Sequence, residues 1–241
     1  MMKKILGLLF LFVLVLTACS HEQPAIVKVE TPPEDTKEEP ELIEEVTDNE
    51  KVDEFIEFTL EEEVVRVNLN QIPILSSYLH AVKDRQQVIE KMDFQHLLNI
   101  DDNDIYLLEF SCNKADHCSY LLLDHNSENT DFLVADLASY EEFILSPEGT
   151  KLLLKFSRDT SQEYSVSNIV VIDLQEWDIM SLENDDIENN LLDYNWPILS
   201  TSWVDDESIL ISVPDTLQTN TEKTDTEIIE TTNDILFNVS N

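Results

Sequence analysis

A chain of 241 residues with 14 basic and 51 acidic side chains carries a formal charge of −37. No stripe of lysine or arginine exists to neutralise phosphates, which excludes nucleic acid as a partner and a helix held on anionic lipid by basic charge. With 42% hydrophobic residues the chain can build one core plus tails, but its two glycines leave no glycine-rich phosphate loop and no G-x-S-x-G elbow.

Residues 1–18 carry the marks of an export signal. Lys3 and Lys4 form a positive start, and an apolar run of 12 residues follows from Ile5 to Leu16. That is shorter than the ~20 residues a permanent membrane helix needs. The run closes on Leu16-Thr17-Ala18-Cys19. This resembles the lipobox of bacterial lipoproteins, L-[AST]-[AG]-C, at all four positions. The resemblance implies that the Cys19 thiol, as thiolate nucleophile, takes a diacylglycerol, that the signal is cut before Cys19, and that the new amino terminus is often acylated. Two or three acyl chains, at roughly 0.8 kcal/mol per buried CH₂, hold a protein on a membrane essentially permanently. The implied location is the extracytoplasmic side of the cell membrane. The Lys-Lys start is similar to that of short Firmicute lipoproteins, which implies a Gram-positive host. An ordinary secretory signal that happens to contain a cysteine is the alternative.

From residue 19 to 51 the chain is rich in Pro and Glu, with Pro24, Pro32, Pro33 and Pro40 among acidic clusters. This composition predicts a disordered acidic tether, spanning ~30 Å as a coil and ~110 Å if stretched. It reads as a spacer that lifts a domain off the lipid; a tail for a basic partner is the other reading.

Residues 52–103 predict a hairpin and a helix. Ile56 to Leu60 and Val65 to Leu69 alternate around Glu61 to Glu63, an acidic-tipped hairpin. Leu75, Tyr78, Val82, Ile89 and Met92 recur at helical steps behind Pro73 and predict one amphipathic helix over 74–95.

Residues 104–241 read as a β-rich region. Strands are predicted at 105–110, 119–124, 132–137, 151–157, 168–174, 179–182 and 208–213, with a further apparent strand at 235–239. Asn, Asp, Ser and Pro break them, so antiparallel sheet is expected. The segment from Ile144 through Ser146-Pro147-Glu148-Gly149 to Phe156, followed by Asn168 to Leu174, resembles the blade signature of TolB-like and WD-type β-propellers. Ser202 to Ser212 resembles a shortened second copy. The resemblance implies stacked antiparallel blades, with Leu152 and Leu154 facing one sheet surface, Leu153 the other, and both surfaces covered. At ~40–45 residues per blade, 138 residues hold about three, fewer than the four a closed ring requires. The expected fold is therefore mainly β, with partial propeller-like blades, one N-terminal amphipathic helix and a disordered tether.

Candidate chemistry is sparse. Cys112 and Cys118 are the cysteines left beside Cys19, and they sit between two predicted strands. In an exported chain this spacing reads as a disulfide across a hairpin tip. Zinc on Cys112, His117, Cys118 and His125 is the alternative, at an unusual spacing. A redox-active pair would more usually be C-x-x-C. Asp101-Asp102-Asn103-Asp104, Glu183-Asn184-Asp185-Asp186, and the set Asp124, Asn126, Glu128 and Asp131 could collect Ca²⁺, but read first as solvated turns. His96 has no carboxylate at i±4, and His80, with Asp84 at i+4, offers no evident catalytic pair; Trp177, Trp196 and Trp203 offer either sheet packing or an aromatic surface for glycan or peptide. No serine, histidine and aspartate stand in a context that poises a nucleophile. The expected function is a non-catalytic, lipid-anchored interaction module of the cell envelope with no cofactor, bound to the membrane and to an envelope protein or glycan. A cell-envelope hydrolase and a solute-binding receptor are the alternatives.

Overall fold

The computed structural model describes residues 24–29, 39–46, 52–61, 63–100, 103–113, 117–125, 131–160, 164–184, 192–215 and 231–240. The expected signal, with Leu16, Thr17, Ala18 and Cys19, lies outside them.

The predicted hairpin forms. Val52–Thr59 (β3) and Val64–Asn68 (β4) pair antiparallel, and Leu60 N–H donates to the Glu63 carbonyl at 2.8 Å to close the turn. Ile26–Val29 (β1) pairs with β4, from Ile26 opposite Val67 to Val29 opposite Val64. Glu41–Val46 (β2) pairs with β3, giving a four-stranded sheet in the order β1-β4-β3-β2. This corrects the tether reading: every stretch of 19–51 that is described contributes strand. The reason is local. Ile-Val-Lys-Val is a short β-branched run inside an otherwise polar segment, and Ile26, 1% exposed, buries enough apolar surface to hold it. On β2, Glu45 pairs with Arg66 of β4 at 2.7 Å, and Arg66 also holds Glu57 of β3 at 2.8 Å.

The single helix expected over 74–95 is two short ones, Pro73–Ala81 (α1) and Arg85–Ile89 (α2). Val82 leaves α1 in extended conformation (φ −88°, ψ 153°), and Asp84 caps α2 by accepting from Gln87 N–H at 3.1 Å. Leu75, Leu79, Ile89 and Met92 are all buried, so the apolar stripe marks core contact correctly but spans a break. Past Met92 the chain becomes a strand.

That strand, Asp93–Ile100 (β5), begins an antiparallel ribbon. It continues through Asn103–Phe110 (β6), Cys118–Asp124 (β7), Phe132–Leu145 (β8), Lys151–Asp159 (β9), Ser165–Asp173 (β10) and Asp178–Glu183 (β11). Asp193–Trp196 (β12), Ser200–Asp205 (β13), Ser208–Pro214 (β14) and Thr232–Ser240 (β15) complete it. The strand order is β5-β6-β7-β8-β9-β10-β11-β15-β14-β13, with β12 beside β10.

Two strands serve two layers each. The first half of β8 pairs with β7 and its second half with β9. Likewise Asp178 to Met180 of β11 pair with β10, and Ser181 to Glu183 pair with β15. At the change-over in β8, Leu137 takes φ 48°. Arg158 holds the bend by donating to the carbonyls of Asp136 (2.6 Å) and Leu137 (3.0 Å) while its guanidinium stacks 3.6 Å from the Tyr194 ring centre.

Folding at these strands produces three cores. One lies among the first sheet, both helices and one face of β5–β7. The second joins the other face of β6 and β7 to β8 and β9, and the third joins the opposite face of β9 and β10 to β14 and β15. Leu152 and Leu154 belong to the second core and Leu153 to the third, all three at 0% exposure. The Ser146–Gly149 segment turns β8 into β9: Gly149, at φ 72°, donates its N–H to the Ser146 carbonyl at 2.9 Å.

The protein is thus mainly β and antiparallel, as expected. A propeller is not what the described strands show. Layers joined by shared β8 and β11 differ from separate blades around a channel, and the ribbon ends at β5 and β13 without closing.

Candidate functional site

A set of linked polar groups gathers where β1, the β3–β4 tip, β5 and β6 meet, with Asp104 buried, Lys28 and Glu63 half-buried, and His96 and Asn99 at the exposed rim. Lys28 projects from β1 and its Nζ lies 2.7 Å from Glu63 Oε2 and 2.5 Å from Asp104 Oδ2. Asp104 Oδ1 accepts from His96 Nε2 and from Asn99 Nδ2, each at 2.8 Å. Tyr106 O–H donates to Glu63 Oε1 at 2.9 Å. The β5–β6 register explains the assembly: His96 lies opposite Tyr106, and Asn99 opposite Asp104.

Electrostatics follow from this geometry. Burial opposes ionisation of Asp104, whose side chain is 12% exposed, but the hydrogen bonds from Lys28, Asn99 and His96 outweigh it and hold its pKa at about 2. Burial likewise works against the Lys28 ammonium, and its bonds to Asp104 and Glu63 more than compensate, so its pKa is raised. Tyr106 is pushed up by burial and by donating to Glu63. Since Asp104 is ionised, it accepts, and Nε2 of His96 carries the proton it receives.

A histidine oriented by a buried carboxylate is two-thirds of a nucleophilic triad. The neighbours that complete this cluster are Lys28, Glu63, Asn99 and Tyr106, none of them a poised hydroxyl or thiol nucleophile. All four oxygens of the two carboxylates are occupied by partners within the cluster. The arrangement clasps β1 to the hairpin tip and to β5–β6.

Other sequence-predicted residues fall elsewhere. Cys112 and Cys118 form a disulfide just beyond the last β6–β7 pair, Phe110 opposite Ser119, with Cys118 one residue and Cys112 two residues past it. Glu109 lies beside both sulfurs, the one grouping of three potential metal ligands among the described residues. With both sulfurs in the S–S bond neither is a thiolate ligand, which corrects the zinc alternative. Trp177 is buried against Phe132 in the second core, with ring centres 5.6 Å apart. Trp196 and Trp203 pack on the third core and donate to the carbonyls of Pro214 and Ile144. These are packing roles. Of the acidic clusters, Asp101, Asp102, Asn126, Glu128, Asp185 and Asp186 lie outside the described residues, while Asp104 is engaged as above and Asp124 accepts from Asn103 Nδ2 at 3.1 Å.

The pairing of His96 with Asp104 escapes a helical reading of 74–95, because the two are cross-strand neighbours rather than i±4 partners. Among the described residues no helix is long and apolar enough to cross a membrane. No family model, no curated protein and no solved structure matches the chain.

Proposed function

We propose that this protein is a lipid-anchored, extracytoplasmic binding module of the cell envelope that acts without catalysis, with the membrane and an envelope protein or glycan as its partners. The observation that carries the reading is the leader ending in Leu16-Thr17-Ala18-Cys19. The Cys112–Cys118 disulfide supports it, since such bonds persist in oxidising compartments. An open, partial stack of blade-like layers, not a closed ring, is part of the same proposal, supported by the Ser146–Gly149 turn and the burial of the Leu152-Leu153-Leu154 triplet on both faces of β9.

Cys19→Ala should release the protein from membranes or leave it as an unprocessed precursor. A variant that fractionates and matures like wild type overturns the anchor. The His96–Asp104 pair favours a second reading, an envelope hydrolase. Activity profiling of the whole protein separates the two: a turnover abolished by His96→Gln, with the unfolding midpoint unchanged, would replace the binding module with an enzyme.

A further inference from the structure

The long ribbon ends at β13, whose second edge meets no other strand among the described residues. Its first edge is taken up by β14, from Ser200 opposite Ser212 to Trp203 opposite Ile209. An open edge is a template for another strand, and proteins commonly blunt such edges with charge. The strands at the other three ends of the two sheets follow that rule. β5 carries Asp93, β1 carries Lys28, and β2 carries Glu41, Glu44 and Glu45. β13 departs from it. Residues 194–204 hold no charged side chain in a sequence with 51 acids and 14 bases, and Leu199 and Val204 are 44% and 55% exposed.

A second observation falls on the same strand. Thr201 is 9% exposed, and its Oγ1 is buried with no hydrogen-bond partner among the described residues. A hydroxyl left in that state costs about 1–3 kcal/mol. The sequence around it, Ser200-Thr201-Ser202, reads the same in both directions, with Leu199 and Trp203 flanking it. Two identical strands paired antiparallel about Thr201 therefore oppose Thr201 to Thr201, Ser200 to Ser202 and Leu199 to Trp203. Directly opposed residues hold their Cβ atoms ~4.5–5.5 Å apart, close enough for two threonine hydroxyls to bond to each other and for Leu199 to cover Trp203. This centre also stops short of the register shift that follows Trp203. Asp205 falls opposite Pro197, so no acid directly opposes another.

We propose that β13 binds β13 of a second copy of this chain, edge to edge and antiparallel, across a twofold axis at Thr201. The strand is self-complementary, as an isologous contact requires. The paired edge is neutral while each copy is strongly acidic, so the two bodies repel and salt strengthens the contact by screening them. Paired strands of five residues cover far less than the ~800 Å² per partner of a standard interface, so the dimer is weak.

The full chain in density-matched detergent is followed by sedimentation from roughly 10 μM to 1 mM. A monomer–dimer equilibrium is expected, with the dimer fraction rising several-fold between ~20 and ~300 mM NaCl. Ser200→Asp with Ser202→Asp sets like charges opposite each other twice and should abolish the dimer. Both side chains are exposed, so the unfolding midpoint should stay where it is. Ser200→Asp with Ser202→Lys makes both pairs opposite in charge and should restore the dimer. Thr201→Cys should form an interchain disulfide on mild oxidation several-fold faster than Leu236→Cys, an exposed site on β15, two strands in. A chain that stays monomeric throughout, or a dimer indifferent to both charged pairs, overturns the contact. Cross-linking at Leu236→Cys as fast as at Thr201→Cys overturns the register centred on Thr201.

Discussion

Asp104 accepts from three side chains, Lys28 of β1 and His96 and Asn99 of β5, and its protonation weakens all three contacts together by removing the charge they share. The folded pKa of about 2 lies below the ~3.9 of an unfolded aspartate. A depressed folded value means that the stabilisation is present above pH ~4 and disappears as pH falls toward 2, with a magnitude of about 2 kcal/mol. Urea unfolding followed across that interval should therefore show a loss of stability that is smaller in Asp104→Asn. At neutral pH the same variant should lose about 2 kcal/mol, because Lys28 keeps one carboxylate in place of two and the cluster is half-buried. Gly149 carries a different constraint. A Cβ there meets no atom within 4 Å, so Gly149→Ala is limited by backbone alone; at φ 72° it should cost about 1 kcal/mol, read as a lower urea midpoint with unchanged slope. Ser111, Leu137, Trp177 and Tyr194 also hold positive φ without being glycine. In a chain this poor in glycine, bends are imposed by packing around such residues, as Arg158 does beside Leu137.

Among the elements, the β6–β7 hairpin is closed at its tip by the disulfide. The ring it closes is small, so reducing it, or replacing both cysteines by serine, should cost about 2 kcal/mol and leave the strand content intact by circular dichroism. Mass spectrometry without reduction should find the Cys112 and Cys118 peptides linked; free thiols would contradict the structure. This hairpin was legible in the sequence, as were the β3–β4 hairpin and the β8–β9 turn, because period-2 alternation and turn residues are local signals. β1 and β5 were not. β1 is four residues in a segment whose average composition is that of a solvated tail, and its pairing to β4 is decided by residues about forty positions away. The helical count begun in α1 runs to Met92 and carries the expected helix over the first residues of β5, and only pairing with β6 settles the strand. The polar cluster was invisible for the same reason. Asp104 could be seen as one acid among several, whereas Lys28 reaches it across 76 positions of chain.

At the scale of the whole molecule, the shared strands β8 and β11 make the layers interdependent. β9 contributes to two cores, through Leu152 and Leu154 on one face and Leu153 on the other. Loss of either core exposes apolar surface of the other, which is the condition for cooperative unfolding. Thermal unfolding of the chain with its signal removed should accordingly proceed in one transition, coincident by near- and far-ultraviolet circular dichroism. Two resolved transitions would show that the first sheet with its helices melts apart from the β9–β15 layers.

The way β1 enters the first sheet also determines how the protein bears mechanical load. A chain pulled from its amino terminus along β1 meets hydrogen bonds to β4 that lie across the direction of pull. The four residue pairs are then strained together in shear instead of opening one after another, and the Lys28 ion pairs act as a cross-bolt on the same joint. A strand of only four residues is thereby a stronger fastening than its length suggests.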